Sequence, residues 1–212
     1  MKGIAFREFV RWYERSRGRD ALLKAWRSLP DDLRAQLDPD RDAFGLLAGS
    51  WYPIQIPAGL LESITWGLSP EARVALLREG THHAVKATLT GVYRVLFETL
   101  MTPERHARYA QKIWSNYYNT GHVEGRILGP GRAEQVVRDW NGHHALLCEL
   151  SIWSVTVFHE HMGCTNVKVS RSACVLSAAA PRSSRGVASR DVAPVEEGAC
   201  RFLVTWDAAG RA

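Results

Sequence analysis

His159, His161 and Cys164 form the tightest grouping of soft metal ligands in the sequence. With Cys174 or Cys200 they could complete a four-coordinate zinc site, because tetrahedral zinc takes thiolate sulfur and imidazole nitrogen together. The spacing argues against it. Residues two apart diverge by about 200° on a helix, so His159 and His161 share one ion only on a strand or at a helix end. The cysteine spacings match no standard finger, and buried cysteines commonly act as small core hydrophobes. A Cys174–Cys200 disulfide is geometrically open between neighbouring strands, but a reducing compartment disfavours it. Free thiols that pack are therefore the expected state. The zinc set His161, Cys164, Cys174 and Cys200 is the alternative.

The pairs His82–His83 and His143–His144 do not chelate as units, because adjacent residues point apart on a helix. One histidine of a pair facing a cavity could ligate haem or hydrogen-bond an acidic ligand. An ordinary surface or satisfied core role is the plainer reading. GxSxG, HExxH, GxxxxGK[ST] and GxGxxG are all absent, so no enzyme signature stands out. The carboxylates lie mostly beside arginines, as solvated pairs do.

Eight tryptophans spread over every element. They serve as core filler, each indole N–H finding a partner, or they line a pocket between helices and sheet. Trp114 and Tyr117 before the glycine-rich turns, and Tyr93 on a preceding helix, are the candidate lining residues.

These side chains must be held by elements that the hydrophobic period reveals. Ile4, Phe6, Phe9, Val10 and Tyr13 mark one face of a first helix, ended by Gly18. A second runs from Asp20 to Pro30, and a short third from Asp31 to Leu37. Residues 38–57 read as a loop in which Trp51, Tyr52, Ile54 and Ile56 are nonetheless buried. Ser69-Pro70-Glu71 is a strong helix start, with a capping hydroxyl, proline in the first turn and an acid at the positive end. The period predicts one long helix to about Phe97, with Gly80 the candidate break. Thr102-Pro103-Glu104 repeats the start signal, for a helix ending at Gly121. The period then shortens. HVEGRILG and AEQVVRDW around GPGR read as a β-hairpin. Residues 143–162 read as a helix, NVKVSRSACVL as a strand and ACRFLVTW as the last strand.

The fold class expected is therefore α+β: an N-terminal helical bundle packed on a small C-terminal antiparallel sheet of hairpin, helix and two strands. The 212 residues make one domain, 1–212, with 1–50 a helical N-terminal extension. Residues 177–198, small, polar and Pro-containing, are expected to be a mobile loop. Of 27 basic residues 22 are arginine, against 22 acidic ones, for a net charge of +5. The basic residues are dispersed, so nucleic acid is not a favoured partner. No apolar run is long enough to span a membrane. The N-terminus has no apolar signal core, which makes the cytoplasm the expected location.

This order of elements resembles the superfamily of haem-NO-binding domains, TRAPP tethering subunits and 4-vinyl-reductase-type small-ligand domains. The resemblance covers roughly residues 30–206. Its nearest match lies in the closing residues: Cys174 at the end of one strand, then Gly198, Cys200, Phe202 and Val204. LDPDRD, WYPIQIPAGLLESITWGLSPEARVALLREG and KIWSNYYNTGHVEGRILGPGRAEQVVRDW resemble an uncharacterised paralogous family of myxobacteria. Two features depart from the zinc-binding sensor branch. Arg171 stands where an acid sits three residues before the first paired cysteine, and the loop between Cys174 and Cys200 is long. The Tyr-x-Ser-x-Arg motif with which haem-NO-binding domains hold the propionates is absent. The resemblance implies a non-enzymatic small-ligand-binding or protein-interaction module in bacterial signalling, with no cofactor favoured. Its partners would be a small apolar ligand or a protein, and a second copy in a homodimer. A haem or zinc sensor, or an undetected enzyme, are the alternatives.

Overall fold

The computed structural model describes residues 1–178 and 198–207. Within α6 and α10, defined below, the side chains of Val92, Tyr93, Leu96, Ser177 and Ala178 are not among those described. The body of the segment expected to be mobile, residues 179–197, lies outside the described residues.

The chain opens with α1 (Ile4–Arg17) and α2 (Arg19–Arg27), separated by Gly18 at φ 87°. Such a left-handed conformation is open to glycine without a Cβ penalty. α1 buries Phe6, Phe9, Val10 and Tyr13 of the face its period marks, and Trp12 besides, while Ile4 is half-buried. A short α3 (Asp31–Arg34) and an irregular stretch lead to α4 (Gln55–Thr65). Ile56, in the first turn of α4, is buried, but Trp51 in the stretch before it is 45% exposed under the ammonium of Lys2. Apolar mass alone predicts burial for Trp51. The cation over its face stabilises it at the surface instead.

α5 (Pro70–Thr88) begins where the cap signal predicts: the Ser69 hydroxyl accepts from the Ala72 N–H. The long helix does break, but not at Gly80. α6 (Gly91–Leu100) starts after Leu89 and Thr90 leave the helical region, with Gly91 at φ 57°. Gly80 has another purpose. A Cβ there would lie 2.3 Å from Phe9 and 2.6 Å from Trp12. The missing side chain lets α1 lie directly on α5. The second expected helix is also divided, into α7 (Pro103–Arg108) and α8 (Ala110–Ser115), with the break at Tyr109. Thr102 caps α7 through its hydroxyl.

The hairpin is β1 (His122–Gly129) and β2 (Arg132–Arg138). α9 (Ala145–His161) follows, then β3 (Thr165–Ala173), the single turn α10 (Val175–Ala178) and β4 (Ala199–Asp207). The sheet order is β1-β2-β4-β3, antiparallel throughout. The last strand enters the middle, so Cys200, Phe202, Val204 and Trp206 are buried. Helices cover that face, which makes the α+β architecture expected above. Residues 1–50 contribute Phe6, Phe9, Leu22 and Phe44 to the same core as Leu147 and Phe202. A second, smaller core lies around Val155, Met162, Cys164, Val204 and Trp206. Among the described residues no helix is long and apolar enough to cross a membrane.

Candidate functional site: a histidine cavity and an adjoining thiol cluster

α7 owes its position to a missing side chain on β1. A Cβ on Gly125 would lie 2.5 Å from the Ala107 carbonyl oxygen and 2.6 Å from Ala107 Cα. The helix therefore rests on the strand backbone to backbone. α8 is tied to the same strand, because the Gln111 side-chain oxygen accepts from the Val123 N–H at 2.6 Å. With α7 seated this way, His106 points into the interior, 6% exposed between Phe158 and His159.

His106 opens onto a cavity of about 110 Å³ between α1, α5, the α7–α8 segment, α9 and the sheet. Phe9, Ala84, Val85, Trp114, Phe158 and Phe202 are among the residues of its wall. Ser151 and Ser154 also line it. Their hydroxyls donate to carbonyls one turn back on α9, at 3.0 and 2.8 Å.

Burial holds His106 neutral. Its pKa is pushed down to about 3, first by loss of water and then by His159 beside it. Among the described residues no hydrogen bond reaches its imidazole. His159 differs: its Nδ1–H donates to the Val155 carbonyl at 2.8 Å, which fixes the tautomer. Tyr118 is buried on the other wall, its hydroxyl pushed up to about 12 by burial and hydrogen-bonded to Ser151.

Trp114 and Tyr117 are on the cavity wall. The Trp114 indole N–H donates to the Thr120 carbonyl at 2.8 Å, and its ring stacks on Tyr118 at 4.2 Å. Burial raises the Tyr117 pKa. The side chain of Tyr93 lies outside the described residues. His106 and Tyr118 are not legible as site residues in the sequence. His106 lies between Arg105 and Arg108, where a histidine looks solvated. The readable signal is Gly125, a glycine inside an alternating strand, which marks a close backbone approach.

Rings lead from the cavity to a second polar centre. Trp140 contacts both Trp114 and Tyr118, with ring centres 5.1 Å apart in each pair, and then His143 at 5.2 Å. The Cys200 sulfur lies 3.5 Å from His143 Nδ1 and 3.5 Å from the Cys174 sulfur. The ligand atoms of His143, Cys148 and Cys200 fall within 4.8 Å of one another. No disulfide joins these thiols. Cys148 lies in the first turn of α9, and its pKa is lowered. The Cys200 S–H stabilises its thiolate, and the charge of Arg171 adds to that. Cys200 is correspondingly pushed up by Cys148 and by burial.

The zinc set read from the sequence does not assemble. Cys174 and Cys200 meet, but His161 pairs with Glu98 at 3.2 Å, and Cys164 belongs to the smaller core. His161 projects away from His159 because α9 stays helical through both. Cys148 and His143 take their places beside the paired cysteines. Arg171, noted as a departure, reaches Glu149 at 3.8 Å.

No protein-family model matches the chain, and no curated protein matches it. Solved structures do. An H-NOX protein from S. oneidensis in the Fe(II) ligation state, a triple mutant, superposes with a TM-score of 0.66 at 10% identity, covering 100% of this chain and 98% of that one. The Fe(II) unliganded H-NOX protein from K. algicida gives 0.63 at 12% identity, with 100% of both chains covered. A point mutant of the T. tengcongensis H-NOX gives 0.61 at 8%, covering 99% and 100%. The fold of this chain is thus the H-NOX fold.

That fold raises the question of haem, and the cavity answers it in two parts. His106 supplies a neutral, buried imidazole of the kind that ligates iron. The rest does not fit. About 110 Å³ is well below the roughly 300–1,000 Å³ of drug-sized sites, and a tetrapyrrole needs at least that range. No arginine or lysine among the described residues lines the cavity to meet a propionate.

Proposed function

We propose that this chain is a non-enzymatic ligand-sensing module, whose guest is a small, uncharged, mostly apolar molecule held beside His106. One observation carries the reading: an apolar cavity containing a single neutral imidazole without a hydrogen-bond partner among the described residues. Its volume approaches that of the roughly 150 Å³ apolar cavity that takes benzene or xenon. The guest gains apolar burial against Phe9, Phe158 and Phe202, and satisfies His106 with one polar atom. Binding would reach the surface through α7 and α8, which carry His106 and Trp114 and rest on the hairpin. That path suits a signalling role in which a protein partner reads the hairpin side. Native mass spectrometry before and after denaturation should reveal a carried molecule. Indole or phenol added to emptied protein should raise the melting temperature in proportion to the logarithm of concentration. Absence of both effects would remove the reading.

A haem sensor is the second reading, favoured by His106 and by structural neighbours solved in Fe(II) states. It requires the cavity to widen and a propionate partner to come from elsewhere. Protein loaded with hemin should then show a Soret band that His106→Ala abolishes. An unchanged band in that variant would exclude His106 as the ligand.

Self-association belongs to the same proposal. Val95, Leu100 and Tyr109 are each about half exposed along the α6–α8 stretch, an apolar surface that a second copy could cover as an isologous dimer. Light scattering that returned the 23.7 kDa monomer mass at micromolar concentration would argue against it.

A further inference from the structure

We infer that Gln135 is the second polar contact for the cavity guest, beside His106, and that the guest is a small ring carrying an N–H next to a C=O, as in a cyclic amide; this rests on the proposed guest cavity and names its class. Nothing in the spacing of residues singles out Gln135, which stands between Glu134 and Val136 in β2.

Most polar hydrogens of the cavity wall are already committed. Thr81 and Thr88 on α5 donate their hydroxyls to the carbonyls of Leu77 and Val85, at 2.7 and 2.8 Å. Ser151 and Ser154 on α9 donate to Leu147 and Leu150 in the same way. The Trp114 indole N–H is taken by the Thr120 carbonyl, and Tyr118 is hydrogen-bonded to Ser151. His106, Gln135 and Tyr117 remain, and no side-chain hydrogen bond reaches any of them among the described residues.

Strand register brings His106 and Gln135 to the same side of the sheet. Gly125 on β1 pairs with Gln135 on β2, and Gln135 pairs with Phe202 on β4. Residues directly opposite on an antiparallel ladder share a face. A Cβ on Gly125 would run into Ala107 of α7, and Phe202 lines the cavity. The Gln135 side chain therefore leaves the sheet on the face where α7 rests, and His106 is the residue before Ala107. The missing side chain that seats α7 thus sets both groups against one cavity.

Their chemistry defines the complement. A carboxamide offers two N–H donors and a carbonyl acceptor, and a neutral imidazole offers one of each. Polar groups drawn from water without a partner cost free energy, so a guest that pairs them recovers that cost. A hydrocarbon fills the volume and leaves the carboxamide unpaired. A cyclic amide meets it edge to edge: its N–H donates to the Gln135 carbonyl, and its C=O accepts from the Gln135 N–H. Such a ring is close in size to the benzene that an apolar cavity of roughly 150 Å³ takes. It carries no charge, which suits walls with no lysine or arginine among the described lining residues.

The test titrates the full chain with δ-valerolactam, with cyclohexanone, which has the same shape and no N–H, and with toluene. The lactam is expected to bind roughly threefold to tenfold more tightly than cyclohexanone, the net worth of one hydrogen bond. Gln135→Leu, apolar and similar in volume, should weaken the lactam by roughly tenfold or more and leave toluene within about twofold. If that variant fails to fold, the preference of the unaltered chain for lactam over cyclohexanone decides. Equal affinity for those two, toluene bound without the lactam, or the same loss for lactam and toluene in Gln135→Leu would overturn the role of Gln135 and leave the cavity reading in place. No binding of any of the three would remove the cavity reading, and this inference with it.

Discussion

His106 and His143 are both sheltered imidazoles, yet their surroundings send them to different chemistry. His106 is walled by side chains from five different parts of the fold, nearly all apolar, and keeps empty space beside it. His143 stands against the thiols of Cys148 and Cys200, with its Nδ1 3.5 Å from the Cys200 sulfur, and Cys174 lies 3.5 Å from that same sulfur. In the first place burial removes water and leaves a neutral group facing a void. In the second it gathers soft donors around one point. Burial alone thus does not specify a role. What decides is whether the neighbours supply volume or ligands.

The sharpest way to break this contrast is to lift one half of it out of place. Gly125→Val drives a side chain into the backbone of Ala107, where no rotamer change gives relief. α7 must move off β1 and carry His106 with it. A loss on the order of 3–4 kcal/mol is expected in denaturant titration, together with loss of any cavity guest, while the thiol cluster should keep its reactivity. Unchanged stability would show that α7 does not rest on the strand this way.

Acid should separate the two histidine environments next. The folded pKa of His106 is about 3, against an ordinary value of 6.5, so between those limits the unfolded chain binds one more proton than the native one. Stability is then complete above about pH 6.5 and falls as pH drops toward 3, by about 1.4 kcal/mol per unit from this group alone. His159, His143 and His82 are shifted the same way by burial. His106→Leu should flatten the acid limb by about one proton and leave the remainder. A limb of unchanged slope would place His106 in water.

A smaller effect tests the ring contacts that link the two centres. Trp114→Phe removes the hydrogen bond to Thr120 and part of the stack on Tyr118. A cost of about 1–2 kcal/mol is expected, with altered fluorescence response to indole-sized guests. The smallest change is the control. Ser69→Ala removes the cap of α5 and should cost about 1 kcal/mol, leaving guest binding as it was.

Much of the scaffold is legible in the residues. Ser69-Pro70-Glu71 and Thr102-Pro103-Glu104 start helices because caps and dipoles act within one turn of chain. Gly18 ends α1, and the GPGR turn closes a hairpin, for equally local reasons. The nearness of Cys174 and Cys200 is what the resemblance implies, although Cys174 lies just past the end of β3. Trp114 and Tyr117 can be named as wall candidates because aromatic residues on a helix facing a sheet must be buried somewhere.

Other features depend on contacts between distant residues. Gly80 looks like a helix break and is a packing surface for Phe9, whereas the break falls at Leu89 and Thr90. His106 looks solvated between arginines and is buried, because Gly125, 19 positions away, admits the helix backbone. Nearness in sequence groups His161 with Cys164, while the sheet order β1-β2-β4-β3 brings Cys200 to the start of α9, next to Cys148 and His143. The sequence by itself determined what each residue could do and which short segments turn, coil or extend, since those choices depend on neighbours a few bonds away. Only the tertiary structure decided which imidazole loses water and which thiols meet, because desolvation and ligand geometry are properties of the packed space rather than of the chain.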